Sequence, residues 1–138
     1  MSEKSKVIIV PCDSYDKEQV YKSVKAGIEA LGGMGRFLDW SEKILVKPNF
    51  LSAAVPEKAV TTHPAVIEAV FRILQEEGYL QVQYGDSPGH GSCQAVAGKI
   101  RLEEAAERYG VKRANMEEEV LTSFPDGKTA KEFHFAKG

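Results

Sequence analysis

The sequence predicts an α/β fold, built as a three-layer, mainly parallel sheet with flanking helices and a C-terminal β-hairpin. Short β-branched runs alternate with amphipathic helical patterns as far as residue 115, which is the order expected of strand–helix–strand units. The runs are short and apolar, which is typical of parallel strands. Beyond residue 118, two strand-like runs flank a Pro-Asp-Gly turn, which indicates a hairpin.

The first half of the chain supplies two predicted strands and one helix. Residues 7–10 are a β-branched run closed by proline, and they predict a buried first strand. Asp16 is the expected cap of the next helix, with Gln19 completing a capping box and Gly32 at its end. Ile44–Val46 predicts the second strand, and a long loop follows it.

The clearest helical pattern begins at Pro64. Apolar residues recur at helical spacing from residue 66 to residue 74, and polar residues occupy the positions between them. Thr62 or His63 precedes the proline at the expected cap position, and Gly78 follows the expected end. We therefore predict a helix that buries one face and exposes the other.

The remaining elements are shorter. A third strand, a polar loop, a further helix ended by Gly110, a fourth strand and the two arms of the hairpin are predicted in that order. Their expected ranges are residues 80–84, 85–92, 102–109, 111–115, 120–124 and 129–135. No internal repeat or low-complexity segment interrupts this order, so residues 1–138 are expected to form a single domain.

Composition excludes several functional classes. The chain has 138 residues, 43% hydrophobic residues and a net charge of −2, so it has no basic excess for a nucleic-acid partner. No apolar stretch reaches the length of a membrane span, and no membrane partner is expected. The two cysteines are far apart in sequence, unlike a secreted disulfide scaffold. A cytoplasmic location is therefore predicted.

Polar residues follow the predicted strands in three loops, residues 11–15, 47–62 and 86–93. In open parallel sheets, such loops meet at the carboxyl edge, where ligands bind. We expect a small anionic molecule to bind there. The candidate ligand-binding residues are Lys47, Asn49, Thr61, Thr62, His63, Asp86, Ser87, Gly89, His90 and Ser92.

Each candidate has a role that its chemistry suggests. Lys47 supplies a positive charge at a strand end, and Asn49 can donate and accept hydrogen bonds. The helix start near Thr62 is expected to present free N–H groups to an anion. The alternatives are that Thr62 is only a helix cap, that the loop after Asp86 is only a turn, and that Lys47 is a structural partner of Asp86.

Two other functions remain open at this level. In the first, the protein is an enzyme in which Asp86 or His90 acts as general base on a substrate held by Lys47, although no nucleophile or cofactor is identifiable. In the second, it is a non-catalytic interaction module that docks on another subunit, or forms an oligomer, through the hairpin of residues 119–136.

The cysteines and histidines suggest one metal hypothesis. Cys12, His63, His90 and Cys93 could meet as four soft ligands after the predicted strands. Structural zinc sites usually have paired short spacings, and only the His90/Cys93 pair has one. No metal is therefore expected in this chain.

Several motifs together resemble the domain of unknown function family 362. They are Ile-Leu-Val-Lys-Pro-Asn-Phe-Leu at residues 44–51, Val-Thr-Thr-His-Pro at residues 60–64 and Gly-Asp-Ser-Pro-Gly at residues 85–89. A Gly-Val pair at residues 110–111 follows a short acidic helix in the expected order. The resemblance spans most of residues 6–119.

The resemblance implies uncharacterised, redox-associated proteins that are often described as iron–sulfur cluster binding, with ferredoxin-type cysteine motifs further along the same chain. It also implies a possible redox partner, and that residues 1–138 are the N-terminal portion of a longer family domain. This sequence has no C-x₂-C-x₂-C run. No cofactor is therefore expected in this chain, and the cluster is implied only for the C-terminal region of family members.

Overall fold

Helices and short strands alternate through residue 113 and a hairpin follows, as seen in a computed structural model that describes residues 5–137. The predicted α/β fold, with a mainly parallel sheet, flanking helices and a C-terminal hairpin, is confirmed. The helices are α1 (Lys17–Ala30), α2 (Pro64–Glu76), α3 (Cys93–Lys99) and α4 (Leu102–Arg108). The strands are β1 (Ile44–Val46), β2 (Val82–Tyr84), β3 (Lys112–Arg113), β4 (Glu119–Ser123) and β5 (Glu132–Ala136).

The first three strands form one parallel sheet in the order β1-β2-β3. Ile44 lies opposite Val82, and Gln83 lies opposite Lys112. Because all three strands run in the same direction, the loops that follow them lie at one edge of the sheet. This edge carries the residues after Val46 and Tyr84, which are the predicted site loops.

Helix α2 is the centre of the hydrophobic core. Its apolar face buries Phe71 and Ile73 completely, and the Phe71 ring lies 5.7 Å from the Tyr84 ring of β2, measured between centroids. The predicted start is confirmed, because Pro64 occupies the first turn and lacks the N–H that this position leaves unpaired. Burial of this face on the sheet therefore fixes the helix in place.

The buried carboxylate of Glu68 links α2 to its neighbours. Its two oxygens accept from Lys17 of α1 at 2.8 Å and from Arg108 of α4 at 2.6 Å. A buried charge is tolerated only when it is paired in this way. Asp16 caps α1 by accepting from the backbone N–H of Gln19, as predicted, but the Gln19 side chain contacts Ser14 instead of completing the capping box.

Helix α3 is an element that the sequence pattern did not predict. It has seven residues, and Ser92 caps it by accepting from the N–H of Ala95 at 3.1 Å. Arg101, with φ of 55°, then turns the chain into α4. A helix of seven residues spans only about two turns, and this is why its apolar pattern is weak.

The predicted first strand is wrong. Residues 7–10 pair with no strand, and the side chain of Ile9 is 90% exposed. This segment lies beside α1, where Ser23 donates a hydrogen bond to the carbonyl of Pro11 at 3.1 Å and Val10 approaches Gly27. A β-branched run forms a strand only where a partner strand accepts it, and β1 and β3 have no contact with this segment as strands.

The helices cover only one face of the sheet among residues 5–137, so the predicted three-layer arrangement is a two-layer one in this part of the chain. Val82 and Tyr84 point into the helical core, whereas Gln83 and Leu45 point away from it and are exposed. Lys112 lies beside Gln83 on the same open face. The strands therefore alternate between a buried and an exposed side, as half-covered strands do.

The C-terminal hairpin is confirmed, with β4 and β5 antiparallel. Val120 faces Phe135 and Thr122 faces Phe133, which gives one side of the hairpin an apolar, aromatic surface. Leu121 faces His134 on the other side, which is mostly polar. All ten residues of the two strands are exposed, so neither side is covered by the body of the domain.

Candidate functional site at the carboxyl edge of the sheet

Lys47 and Asp86 form an ion pair where β1 and β2 end. The Lys47 ammonium lies 2.8 Å from Oδ1 of Asp86, and the backbone N–H of Phe50 donates to Oδ2 at 2.8 Å. The Asp86 side chain is 8% exposed, whereas that of Lys47 is 59% exposed. The structural partnership between Lys47 and Asp86, considered above as an alternative, is therefore present.

The surroundings of Asp86 keep it ionised. Burial raises the pKa of Asp86, but the hydrogen bonds from Lys47 and from the Phe50 N–H outweigh burial, so its pKa lies below the usual value. A carboxylate with a lowered pKa is a weak proton acceptor near neutral pH. The geometry thus favours a structural or ligand-orienting role for Asp86 over general-base catalysis.

Thr62 joins the loop after β1 to the start of α2. Its hydroxyl oxygen accepts from the backbone N–H of Asn49 at 3.0 Å, and its own N–H donates to the carbonyl of Asn49 at 3.0 Å. Phe50 and Thr61 form an isolated antiparallel bridge beside this pair. Of the two predicted cap candidates, Thr62 and His63, Thr62 is therefore not the one used, because its hydroxyl is engaged across the loop.

His63 is the residue that caps α2. Its Nδ1 accepts from the N–H of Ala65 at 3.2 Å, while the N–H groups of Val66 and Ile67 donate to the His63 carbonyl. Pro64 has no N–H. The predicted free N–H groups at this helix start are therefore already occupied, and an anion here would depend on side chains.

His63 is held neutral by its surroundings. Partial burial lowers its pKa, and the nearby carboxylate of Glu57 only partly offsets this. Tyr15 stacks on the imidazole, with ring centroids 3.7 Å apart. An unprotonated Nδ1 is required for the cap, so the lowered pKa and the hydrogen bond to Ala65 are mutually consistent.

A groove of about 580 Å³ opens beside these residues. It is lined by polar groups from the loop after β1 and by the stacked aromatic pair. Its lining comprises Tyr15, Asn49, Pro56, Glu57, Ala59, Val60, Thr61, Thr62, His63 and Val66. Lys47 borders it through Asn49, whose Oδ1 accepts from the Lys47 ammonium at 3.5 Å.

The loop after β2 approaches the loop after β1 from the other side. The N–H of His90 donates to the carbonyl of Leu51 at 3.2 Å, and a side chain at Gly89 would meet Leu51. Ser87 and His90 are exposed, and Ser92 is used as the cap of α3. The structure thus brings six of the ten predicted residues into one hydrogen-bonded cluster or groove: Lys47, Asn49, Thr61, Thr62, His63 and Asp86.

The four residues of the metal hypothesis do not come together. In the described part of the chain, no three His, Cys, Asp or Glu side chains are close enough to share a metal ion. Cys93 is buried in the core, whereas Cys12 is exposed and its thiol contacts the carbonyl of Ser14. Two thiols so placed also do not fit the four-thiolate set of an iron–sulfur cluster.

Sequence reasoning missed three groups that define this site. Tyr15 was placed in an edge loop but not as a stacking partner of His63, and Glu57 was not singled out at all. The backbone N–H of Phe50, which binds Asp86, leaves no trace in side-chain chemistry. An aromatic residue beside a predicted edge is a signal that could have identified Tyr15 as a contributor.

These features define an α/β domain with a polar groove at the carboxyl edge of a parallel sheet. A family model described as "Domain of unknown function (DUF362)" matches residues 44–138, and the chain belongs to this family. The matched region contains β1 to β5 and the Lys47–Asp86 pair.

One curated relative is the thylakoid-associated protein sll1697 of Synechocystis sp. (strain ATCC 27184 / PCC 6803 / Kazusa). It is 36% identical to this chain over 91 residues, which are 66% of this chain and 28% of that protein. The chain thus spans less than a third of the relative's length. No solved structure matches the chain significantly. Within residues 5–137, no helix is both long and apolar enough to cross a membrane.

Proposed function

We propose that this chain is a ligand-binding α/β domain that holds a small anionic molecule at the carboxyl edge of its sheet. The observation that carries the proposal is the position of the Lys47 ammonium. It is anchored by buried Asp86, yet 59% exposed, and it lies 3.5 Å from Oδ1 of Asn49, a residue that lines the groove.

The chemistry of the groove limits the ligand. Lys47 has three N–H donors, of which Asp86 and Asn49 engage two. The third is left for a carboxylate or phosphate oxygen, and the Asn49 amide N–H₂ supplies further donors. Glu57 also lines the groove and opposes a second negative charge. The expected ligand therefore carries one anionic group and an uncharged part that contacts Tyr15.

A thermal-shift titration with inorganic phosphate, acetate and benzoate tests the proposal. A ligand present at one hundred times its Kd stabilises the folded state by about 2.7 kcal/mol, which raises Tm by several degrees. We expect Lys47→Arg to keep a ligand-induced shift and Lys47→Met to lose it. Lys43→Met, at the opposite end of the same strand, is the matched control and should keep it.

Loss of the Lys47 charge also leaves Asp86 without its partner, so stability must be separated from binding. The double variant Lys47→Met/Asp86→Asn removes both charges together and is expected to recover most of the stability. If this variant is stable and still shows the full ligand-induced shift, the proposal is refuted. An absence of any shift with all three anions would refute it as well.

A second candidate, an interaction module that docks through the hairpin, is favoured by one observation. Val120, Phe124, Phe133 and Phe135 are all exposed on one side of a two-stranded sheet, and such a sheet is marginally stable when uncovered. Sedimentation-velocity runs over a hundredfold concentration range decide this point. Self-association that Phe133→Thr abolishes supports the module, and a monomer throughout removes the oligomer form of this candidate.

Redox association and a cytoplasmic location belong to the same proposal. The family resemblance supports the first, because it implies an iron–sulfur cluster in the C-terminal region of family members. Composition supports the second, although the printed name of the Synechocystis relative associates that protein with thylakoids. Fractionation of cells producing the tagged chain, followed by immunoblotting, would test the cytoplasmic location.

A further inference from the structure

Tyr15 places an aromatic ring at the groove beside the start of α2. It stacks on the imidazole of His63, with ring centroids 3.7 Å apart and the two planes within 15° of parallel. The imidazole thus covers one face of the phenol ring, yet Tyr15 as a whole is 61% exposed and lines the groove. Aromatic surface is therefore accessible to a ligand that occupies the groove.

The chain on both sides of Tyr15 is fixed to the first turn of α1. Ser14 Oγ accepts from the backbone N–H of Asp16 at 3.2 Å and donates to Oε1 of Gln19 at 2.6 Å. Asp16 in turn caps α1 through the N–H of Gln19. His63, the stacking partner, is fixed by its role as the cap of α2. The Tyr15 ring is thus oriented before a ligand arrives, and such preorganisation lowers the entropic cost of binding.

The remaining lining of the groove suits an uncharged ring. Pro56, Val60 and Val66 contribute apolar surface to it. Its volume of about 580 Å³ lies within the range of small-molecule sites, roughly 300–1,000 Å³. Such sites combine apolar and aromatic walls with a few polar groups that fix the orientation of the ligand. The contact between Lys47 and Asn49 supplies polar groups of this kind at the border of the groove.

We infer that the ligand is an aryl compound with a single anionic group, such as an aryl carboxylate, and that Tyr15 selects it by stacking on its ring. This inference rests on the proposed anion-binding function, because the Lys47 ammonium still has to hold the charged group. Two aromatic rings in offset contact attract each other beyond the burial of their area, whereas an aliphatic ring of similar size gains only the burial. Tyr15 is thus the residue that determines specificity for the uncharged part of the ligand.

Matched pairs of carboxylates test the inference. Benzoate, phenylacetate and 3-phenylpropionate place a phenyl ring at increasing distance from the charge, and each has a cyclohexyl counterpart of similar size. Dissociation constants are measured with the whole chain by NMR titration. We expect at least one phenyl compound to bind about two- to tenfold more tightly than its counterpart. The cyclohexyl compounds are the more hydrophobic members, so burial of apolar area alone predicts the opposite order.

Variants separate stacking from charge recognition. Tyr15→Phe should keep the phenyl preference, and Tyr15→Leu should lose it while both members of each pair still bind. Phe37→Leu is the matched control and should keep the preference, because Phe37 is also an exposed aromatic residue but does not line the groove. The double variant Lys47→Met/Asp86→Asn, which leaves no unpaired buried charge, should lose binding of every carboxylate.

Nuclear Overhauser effects provide a measurement that needs no variant. In the wild type, we expect them between the Tyr15 ring protons and the ring protons of a bound phenyl compound. Their absence from a saturated complex would overturn the inference. The amide shift of Ala65 in Tyr15→Leu reports whether the His63 cap is still formed, which separates a lost stacking surface from a lost helix cap.

The outcomes distinguish this inference from the proposal on which it rests. Equal binding of phenyl and cyclohexyl compounds, or a phenyl preference that Tyr15→Leu retains, would overturn the inference alone, provided that binding still requires Lys47. Binding that the Lys47→Met/Asp86→Asn variant retains in full, or no binding of any carboxylate, would refute the anion proposal, and the inference with it.

Discussion

The two faces of the β-sheet differ in what their side chains contact. On the covered face, Val82 and Tyr84 pack with Phe71 of α2 in a continuous hydrophobic core. On the open face, Leu45 and Gln83 meet solvent. The same three strands thus present a core-forming side and a solvent-exposed side. The difference indicates that stability is concentrated in the helical side.

The largest expected effect is a loss of stability on the covered face. Phe71→Ala should lower the free energy of unfolding by about 3–5 kcal/mol, because the ring is fully buried and leaves a cavity. Leu45→Ala on the open face should change it by less than about 1 kcal/mol. Urea titrations followed by circular dichroism measure both. Comparable losses at the two positions would mean that the open face is covered in solution.

A smaller effect is expected at the edge shared by the two faces. Lys47→Met leaves the buried Asp86 carboxylate unpaired and should cost about 1–3 kcal/mol at pH 7. The pKa of Asp86 is lowered in the folded state, so the stabilisation is present above the unfolded pKa and is lost as pH falls through the folded value. The difference between wild type and Lys47→Met should therefore shrink as pH falls below 3.8, the usual pKa of an aspartate, with Lys43→Met as control.

The helix cap at His63 gives the next effect. His63→Ala should cost about 0.5–2 kcal/mol, whereas His63→Asn, which can also accept from the Ala65 N–H, should cost less. The lowered pKa of His63 means that its stabilisation is complete above the unfolded value of 6.5 and declines at lower pH. Amide exchange of Ala65 measured between pH 7 and pH 5, corrected for intrinsic rates, should show loss of protection in wild type but not in His63→Asn.

The smallest effect is expected in the hairpin. Phe133→Thr should change the free energy of unfolding of the helical part of the domain by no more than about 0.5 kcal/mol, because within residues 5–137 β4 and β5 pair only with each other and are exposed. The fluorescence of Trp40, measured in dilute samples, reports on the unfolding of the helical part of the domain alone. A clear destabilisation there would show that the hairpin packs on the body and does not project from it.

The sequence by itself determined the fold class, the long helix α2 and the hairpin. Each depends on local information. Residues 66–74 carry the helical period, Pro64 and Gly78 mark the ends of α2, and a Pro-Asp-Gly turn closes two β-prone runs. The sequence also predicted that the polar loops lie at one edge of the sheet, because the loops that follow parallel strands all lie at the carboxyl edge.

Only the tertiary structure decided how the polar groups are used. Lys47 and Asp86 are 39 positions apart, and their pairing depends on the register of β1 against β2. Thr62 was a plausible helix cap until the fold placed Asn49 beside it. A hydroxyl or a charge has several possible partners within the same sequence, and burial and distance select one of them.

The placement of residues 7–10 and of the helical layers has the same explanation. A β-branched run favours extended backbone, but hydrogen bonds to a second strand are what make it part of a sheet. Val82, Gln83 and Tyr84 alternate between the covered and the open face, and which side received the helices depended on the crossovers. Local propensity acts between neighbours in sequence, whereas pairing and coverage depend on residues that folding alone brings together.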